Sequence, residues 1–187
     1  MTLRITWLAH GATSATRRAS FPEDEPIEAK AREAAARLRD SLPRADRVLI
    51  APERRTRETA AALGLTGACD PLLRDCDHGR WAGRALAELR AEEPHALAAW
   101  LEDPDAAPHG GESVADVIRR IARWSDSPER GDGRILAVTH PTVIRAALIH
   151  AMGAPASSFW RVDVAPLSRL ILSRHGAHWR VQALSSP

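Results

Sequence analysis

Four consecutive apolar residues, Ile135 to Val138, stand out in a chain in which 27% of residues are charged. A run with no polar residue on either face suits a central parallel strand buried on both sides, with helices packed above and below it. It ends in Thr139-His140-Pro141, and Pro141 opens a segment, Thr142 to Met152, that is apolar on most sides and reads as a buried helix. Two other stretches follow the same plan. Leu3, Ile5 and Trp7 alternate with Arg4 and Thr6, so Leu3 to Ala9 reads as a strand, broken by Gly11 just after His10. Arg47 to Ile50 reads as a short buried strand, interrupted at Ala51-Pro52 and followed by a helix from Arg54 to Leu63.

The remaining segments fill in between these units. Ser14 to Glu25 is polar and reads as an exposed loop near the first strand end. Ile27, Ala31, Ala34, Ala35, Leu38 and Leu42 recur at helical spacing, which predicts an amphipathic helix from Pro26 to Leu42, stopped by Pro43. A short strand is expected at Asp70 to Leu73, a loop from Asp75 to Gly83, and one or two helices across Ala85 to Glu102 with a break at Pro94. Ser113 starts a helix whose apolar stripe is Val114, Val117, Ile118, Ile121 and Trp124. Ser168 to Ser173 and His178 to Leu184 alternate on either side of Gly176 and read as a hairpin. Strands alternating with helices predict an α/β protein of three layers, α/β/α, with a mostly parallel central sheet. No repeat, linker or low-complexity stretch divides the chain, so residues 1–187 are expected to form one domain.

Composition narrows the partners. A length of 187 residues is enough for a substantial core, and 44% hydrophobic residues is ordinary for a soluble globular chain. A net charge of +2 gives no case for nucleic acid or a membrane surface as partner, and the apolar runs are far too short to span a bilayer. The two cysteines, Cys69 and Cys76, lack metal-ligand spacing, and the N-terminus shows no signal-peptide pattern; a reduced, cytoplasmic setting is expected. No metal or organic cofactor is implied.

The chemistry gathers at strand ends. The first strand ends at His10, the second near Arg54 and Arg55, and the buried strand at His140. In open α/β sheets ligands bind outside the carboxyl ends of the strands. A guanidinium presents a planar fork to phosphate oxygens, a neutral imidazole can attack phosphorus, and a helix opening at Pro141 adds a positive dipole end. On Leu8 to Thr13 alone, a solvated or core histidine at a strand end fits equally well.

Five segments in order then carry a resemblance. Ala9-His10-Gly11-Ala12-Thr13, Ala51-Pro52-Glu53-Arg54-Arg55-Thr56-Arg57-Glu58-Thr59-Ala60, Leu73 to Gly83 with Asp75, Gly79 and Gly83, Gly110-Gly111-Glu112-Ser113, and Val138-Thr139-His140-Pro141 resemble the motifs of the histidine phosphatase superfamily, the phosphoglycerate mutase-like fold. The resemblance covers nearly the whole chain. It implies a phosphohydrolase acting on a small phosphate monoester through a phosphohistidine at His10. Arg55 and His140 would hold the phosphoryl oxygens. Asp75, where the family keeps its acid, would protonate the leaving oxygen and then activate water, a role that needs burial to raise its pKa.

Three departures weaken the implied phosphate site: Ala9 replaces the family's arginine, Thr16 its asparagine, and Pro141 the glycine after the second histidine. A charge-assisted hydrogen bond is worth about 1.5–3 kcal/mol, so the missing arginine alone corresponds to a loss in rate on the order of tenfold to over a hundredfold. Gly11, Thr16, Arg17 and Arg18 are therefore candidates for binding the phosphate, with either arginine filling the gap; a plain solvated pair is the other reading of Arg17 and Arg18. Restoring arginine at Ala9 is expected to raise activity if the pocket has room. A solvated loop carboxylate is the other reading of Asp75, and His78 sits at the surface or on a pocket rim. Two further classes stay open beside the hydrolase: a catalytically impaired homologue that binds a phosphorylated ligand or partner, and phosphotransfer of the phosphoglycerate mutase type. Family mutases carry extra segments that this chain looks too short to hold.

Overall fold

The apolar run Ile135–Val138 lies within the sheet, with a parallel neighbour on each side. A computed structural model describes residues 2–186. In chain order the elements are β1 (Leu3–Ala9), α1 (Ser14–Arg18), α2 (Ala29–Leu38), β2 (Arg47–Ile50), α3 (Arg54–Ala62), β3 (Ala68–Cys69), α4 (Leu86–Glu92), α5 (Pro94–Glu102), α6 (Val114–Asp126), β4 (Gly133–Thr139), α7 (Pro141–Met152), β5 (Arg169–His175) and β6 (His178–Ser185). The strands form one sheet in the order β3-β2-β4-β1-β5-β6. Pairing is parallel from β3 through β1; β5 runs antiparallel to β1 and to β6. This is the three-layer α/β arrangement expected.

Successive side chains on a strand point to opposite faces, and the two faces carry separate cores. Leu3, Ile5, Trp7 and Ala9 of β1, with Ile135 and Ala137 of β4, pack into one cluster with Val117, Ile121 and Trp124 of α6 and Val143, Ile144 and Ala147 of α7. Leu8, Leu136 and Val138 face the other way, onto Ala35 of α2 and Ala60 of α3. A third cluster, built from Phe21, Trp81, Leu89, Leu97 and Trp100, covers the segment after α1.

Several boundaries differ from the sequence expectation, each for a local reason. Ser14 to Glu25 is not wholly a loop: Thr13 caps α1, accepting from Thr16 N at 3.3 Å while Thr16 Oγ1 accepts from Thr13 N at 3.3 Å. A five-residue helix is too short to show a period. The helix expected over Pro26–Leu42 is confined to α2. Ile27 forms an isolated bridge with Thr13 and donates its N–H to Glu58 Oε2, so helix begins only after Glu28; at the other end a 3-10 turn, Arg39–Ser41, replaces the last stretch. Asp70–Leu73 is not a strand: β3 precedes it, and Asp70 caps a 3-10 turn, Pro71–Leu73, by accepting from Leu72 N at 3.0 Å. The break at Pro94 is present, with Pro94 opening α5. Within the expected Asp75–Gly83 loop lies a 3-10 turn, Gly79–Trp81. Gly79 has φ +47°, and a Cβ there would strike the His109 carbonyl, so glycine lets this loop pack directly on the one ending at Gly111.

Candidate active site

Ala9 pairs with Thr139, so His10 and His140 leave adjacent parallel strands side by side. His10 N donates to Thr139 O at 2.9 Å, which fixes the first turn beyond the sheet. The two imidazoles lie 5.2 Å apart between ring centres, edge to face. β2 is the other neighbour of β4; beyond Ala51-Pro52 it delivers Arg55 in the first turn of α3. Asp75 follows the Pro71–Leu73 turn. Arg55 Nη2 donates to Asp75 Oδ2 at 2.7 Å, and the same oxygen lies 3.3 Å from His140 Nδ1, without hydrogen-bond geometry. The structure thus brings together His10, Arg55, Asp75 and His140, which are 130 positions apart at the extremes (140 − 10).

The charge states follow from this packing. His10 Nδ1 lies 2.8 Å from the Gly11 carbonyl, so Nδ1 carries the proton and Nε2 presents a lone pair. Burial, reinforced by His140 and Arg55, lowers the His10 pKa from 6.5 to about 3 and keeps the ring neutral. Asp75 departs from expectation. Burial does oppose its ionisation, but His140 and then Arg55 outweigh it and hold the carboxyl well below the usual range. Arg55 is 1% exposed; Nη1 donates to the Glu23 carbonyl at 2.7 Å, and its Nε is sealed with no partner among the described residues. A buried unmade guanidinium bond costs about 1–3 kcal/mol or more; like His140, Arg55 lies behind the cavity wall rather than on it.

One residue of the centre was missed by sequence reasoning. Glu53 Oε2 lies 2.7 Å from His140 Nε2, and Oε1 accepts from Asp75 N at 3.0 Å. Burial opposes ionisation of Glu53, yet the bond to His140 brings its pKa down. The available signal was a carboxylate two residues before the candidate phosphate arginine, at the same strand end.

Other predicted residues are placed elsewhere. Arg17 is turned out, its side chain 71% exposed and its Nε 2.9 Å from Glu28 Oε1; Arg18 is exposed too, and neither lines the cavity. Gly11 N is already committed to Thr59 Oγ1 at 2.9 Å. Ala9 is fully buried in the apolar core beneath α6 and α7, away from the cavity wall. Thr16 does line the cavity, a hollow of about 150 Å³ beside His10, Asp75 and His78. Thr13, Ser20 and Glu25 form its outer side, and Pro141 and Thr142 bring the start of α7 to it. A larger hollow of about 800 Å³, lined by His150, Met152, Arg174 and Trp179, lies at the other end of the sheet, since Arg174 pairs with Leu3 at the start of β1.

Two histidines on adjoining strand ends, over this strand order, define a phosphoglycerate mutase-like α/β protein. The chain belongs to the histidine phosphatase superfamily, branch 1, whose family model matches residues 5–187. It is 31% identical over 173 residues to glucosyl-3-phosphoglycerate phosphatase of Mycolicibacterium vanbaalenii, covering 83% of this chain and 77% of that protein. The solved structure of a mycobacterial glucosyl-3-phosphoglycerate phosphatase in complex with VO3 superposes with a TM-score of 0.81 at 28% identity, covering 96% of this chain and 97% of that one. A bifunctional protein of Mycobacterium tuberculosis matches at 35% identity over 129 residues; the match takes in 65% of this chain but only 35% of that longer relative. No helix of the described residues is long and apolar enough to cross a membrane.

Proposed function

We propose that this chain hydrolyses small phosphate monoesters through a phosphohistidine at His10. The observation that carries the reading is the neutral His10 ring, its Nδ1 proton held by the Gly11 carbonyl and its Nε2 lone pair free beside Arg55 and His140. In the first step Nε2 attacks phosphorus and the bond to the leaving oxygen breaks, with Asp75 supplying the proton that this oxygen takes. Water then attacks phosphorus, the P–N bond breaks, and the proton from water goes to Asp75.

In the free site Asp75 is ionised against Arg55, so the first step requires a change in its surroundings. A phosphoryl dianion provides it. Its oxygens compete for the Arg55 guanidinium and place like charge beside Asp75, and both effects favour the protonated carboxyl. Glu53 is the positioning residue for His140, and through Asp75 N it also fixes the backbone of the acid. Phosphoryl transfer depends chiefly on such positioning and on fixed charge.

The absence of Lys and Arg from the cavity wall among the described residues favours a second reading, binding of a phosphorylated ligand without turnover. One experiment separates the two. Brief incubation with a labelled phosphomonoester should give acid-labile, alkali-stable label on the wild-type protein and turnover of p-nitrophenyl phosphate. His10→Ala should lose both, by roughly a thousandfold or more in kcat for a missing nucleophile, while remaining folded. Unlabelled wild-type protein that still binds phosphate would replace the hydrolase with the binding protein.

A further inference from the structure

We propose that His78 is a further phosphate-binding residue of this site, donating a hydrogen bond to a phosphoryl oxygen from the Nε2–H of a neutral ring. The inference rests on the phosphate site at His10 and supplies a donor that the cavity wall otherwise lacks.

His78 follows Asp75 by three positions (78 − 75) and opens the Gly79–Trp81 turn, where Trp81 N donates to His78 O at 3.0 Å. The ring is 8% exposed and lines the hollow shared by His10 and Asp75. Phe21 packs against it edge to face at 4.9 Å between ring centres, and Trp100 and His109 close it in at 6.1 and 6.0 Å. Nδ1 is sealed in this packing with no partner among the described residues. Nε2 is neither sealed nor bonded within the described residues, so the ring's open nitrogen belongs to the hollow.

Packing decides where the proton sits. Orphaned buried N–H groups are rarer than unmet acceptors, so the sealed Nδ1 keeps the lone pair and Nε2 carries the hydrogen. A second proton would have to enter the sealed side. Burial, aided by Arg55, outweighs Asp75, Asp77 and Glu112 and keeps the ring uncharged. The remaining titratable groups around the ring are His109, whose Nδ1 accepts from Gly111 N at 3.0 Å and whose pKa burial also lowers, and neutral His10 and Glu25 on the same wall.

This donor has no rival nitrogen on the wall. Among the described residues the only side-chain nitrogens lining the hollow are those of His10 and His78. His10 commits its Nδ1 proton to the Gly11 carbonyl and keeps Nε2 as the attacking lone pair, while Arg55 and His140 lie behind the wall. A neutral donor also suits the acid. An imidazolium so close to Asp75 would hold that carboxyl ionised, whereas the proposed first step needs it protonated once the phosphoryl group has entered. A neutral N–H gives the anion a bond without opposing that proton.

The test uses inorganic phosphate and the full chain near neutral pH. His78→Phe keeps an aromatic ring beside Phe21 and Trp100 but has no donor. By calorimetry it should weaken phosphate binding by roughly tenfold or more, as expected of a hydrogen bond to a charged group. His78→Gln, which restores an N–H donor without a ring or a charge, should recover part of that loss. A purely structural ring gives the opposite order, with Phe close to wild type and Gln worse. In wild-type protein carrying ¹⁵N-labelled histidine, the ring assigned by its contacts to Phe21 and Trp100 should show the neutral Nε2–H form, and phosphate should shift its Nε2 signal. Unchanged affinity in His78→Phe, Gln no better than Phe, a ring protonated on Nδ1 or on both nitrogens, or no phosphate binding by the wild-type protein overturns the proposal. Phosphohistidine labelling is scored separately. Phosphate held through His78 by a protein that never labels removes the hydrolase and keeps the donor; a labelled, active protein whose phosphate affinity is unaltered in His78→Phe does the reverse.

Discussion

The two sides of the cavity are built by different means. On the inner side, His10 and His140 are placed by the backbone ladder of β1 and β4, while Glu53 and Asp75 lie against His140 and Arg55 bonds Asp75, at 2.7–3.3 Å. On the outer side, Thr13, Thr16, Ser20 and Glu25 come from a short capped helix and the irregular chain after it, held by scattered loop contacts. The inner side is dense in charge and leaves Arg55 Nε and His140 Nδ1 sealed without partners among the described residues; the outer side is mostly neutral and polar. The carboxyl ends of central strands hold atoms to the tolerance that phosphoryl transfer needs, while a loop can vary its side chains without disturbing that geometry. On the proposed reading the reaction belongs to the inner side, and the outer side is free to vary without disturbing it.

The strongest way to break this division is to force the inner side to accept a cation from the core. Ala9→Arg, which family resemblance suggests as a repair, puts a guanidinium into a fully buried position against apolar α6 and α7. Overpacking costs about 1–3 kcal/mol and an unpaired buried charge several more. At about 2–4 °C per kcal/mol for a chain of this size, the melting temperature should fall by roughly 10 °C or more, with no gain in phosphomonoester turnover. A stable variant with raised kcat/KM would show that the side chain reaches the phosphate site instead.

A smaller effect sharpens the inner side by pH. His10 titrates near 3 in the folded chain against 6.5 ordinarily. Below pH 6.5 the unfolded chain takes up a proton that the folded chain refuses, so the stabilising contribution is complete above that pH and is lost as pH falls toward 3. Between pH 6 and 4.5 the wild-type unfolding free energy should fall more steeply than that of His10→Ala by about 1.4 kcal/mol per pH unit, the slope of one proton. His78 and His109, whose pKa values burial also lowers, are common to both proteins, and the carboxylate Asp75 contributes to the slope only below its unfolded range. Parallel denaturant titrations with the same slope would mean that His10 is solvated.

The smallest expected effect concerns the outer side. Arg17 and Arg18, proposed from sequence to fill the missing arginine's place, lie outside the cavity, and exposed ion pairs such as Arg17–Glu28 contribute about 0–1 kcal/mol. Replacing both with Ala should leave inorganic phosphate affinity within about twofold by calorimetry. A tenfold weakening would bring α1 back into the phosphate site.

Much of the framework was legible in one dimension. Alternation in Leu3–Ala9, the apolar run Ile135–Val138 and the breaks at Gly11, Pro52 and Pro141 place His10, Arg55 and His140 at strand ends, because side-chain period and backbone breakers are local properties of a chain. Short or capped pieces such as α1 and the Pro71–Leu73 turn were not legible, since a turn or two of helix carries no period. The sequence by itself determined the α/β layering and which residues could meet. Only the tertiary structure decided their states: that Asp75 is ionised against Arg55, that Glu53 crosses 87 positions to reach His140, and that Arg17 faces water. Charge state and orientation depend on desolvation and on partners from distant segments, and neither leaves a spacing in the sequence to be read.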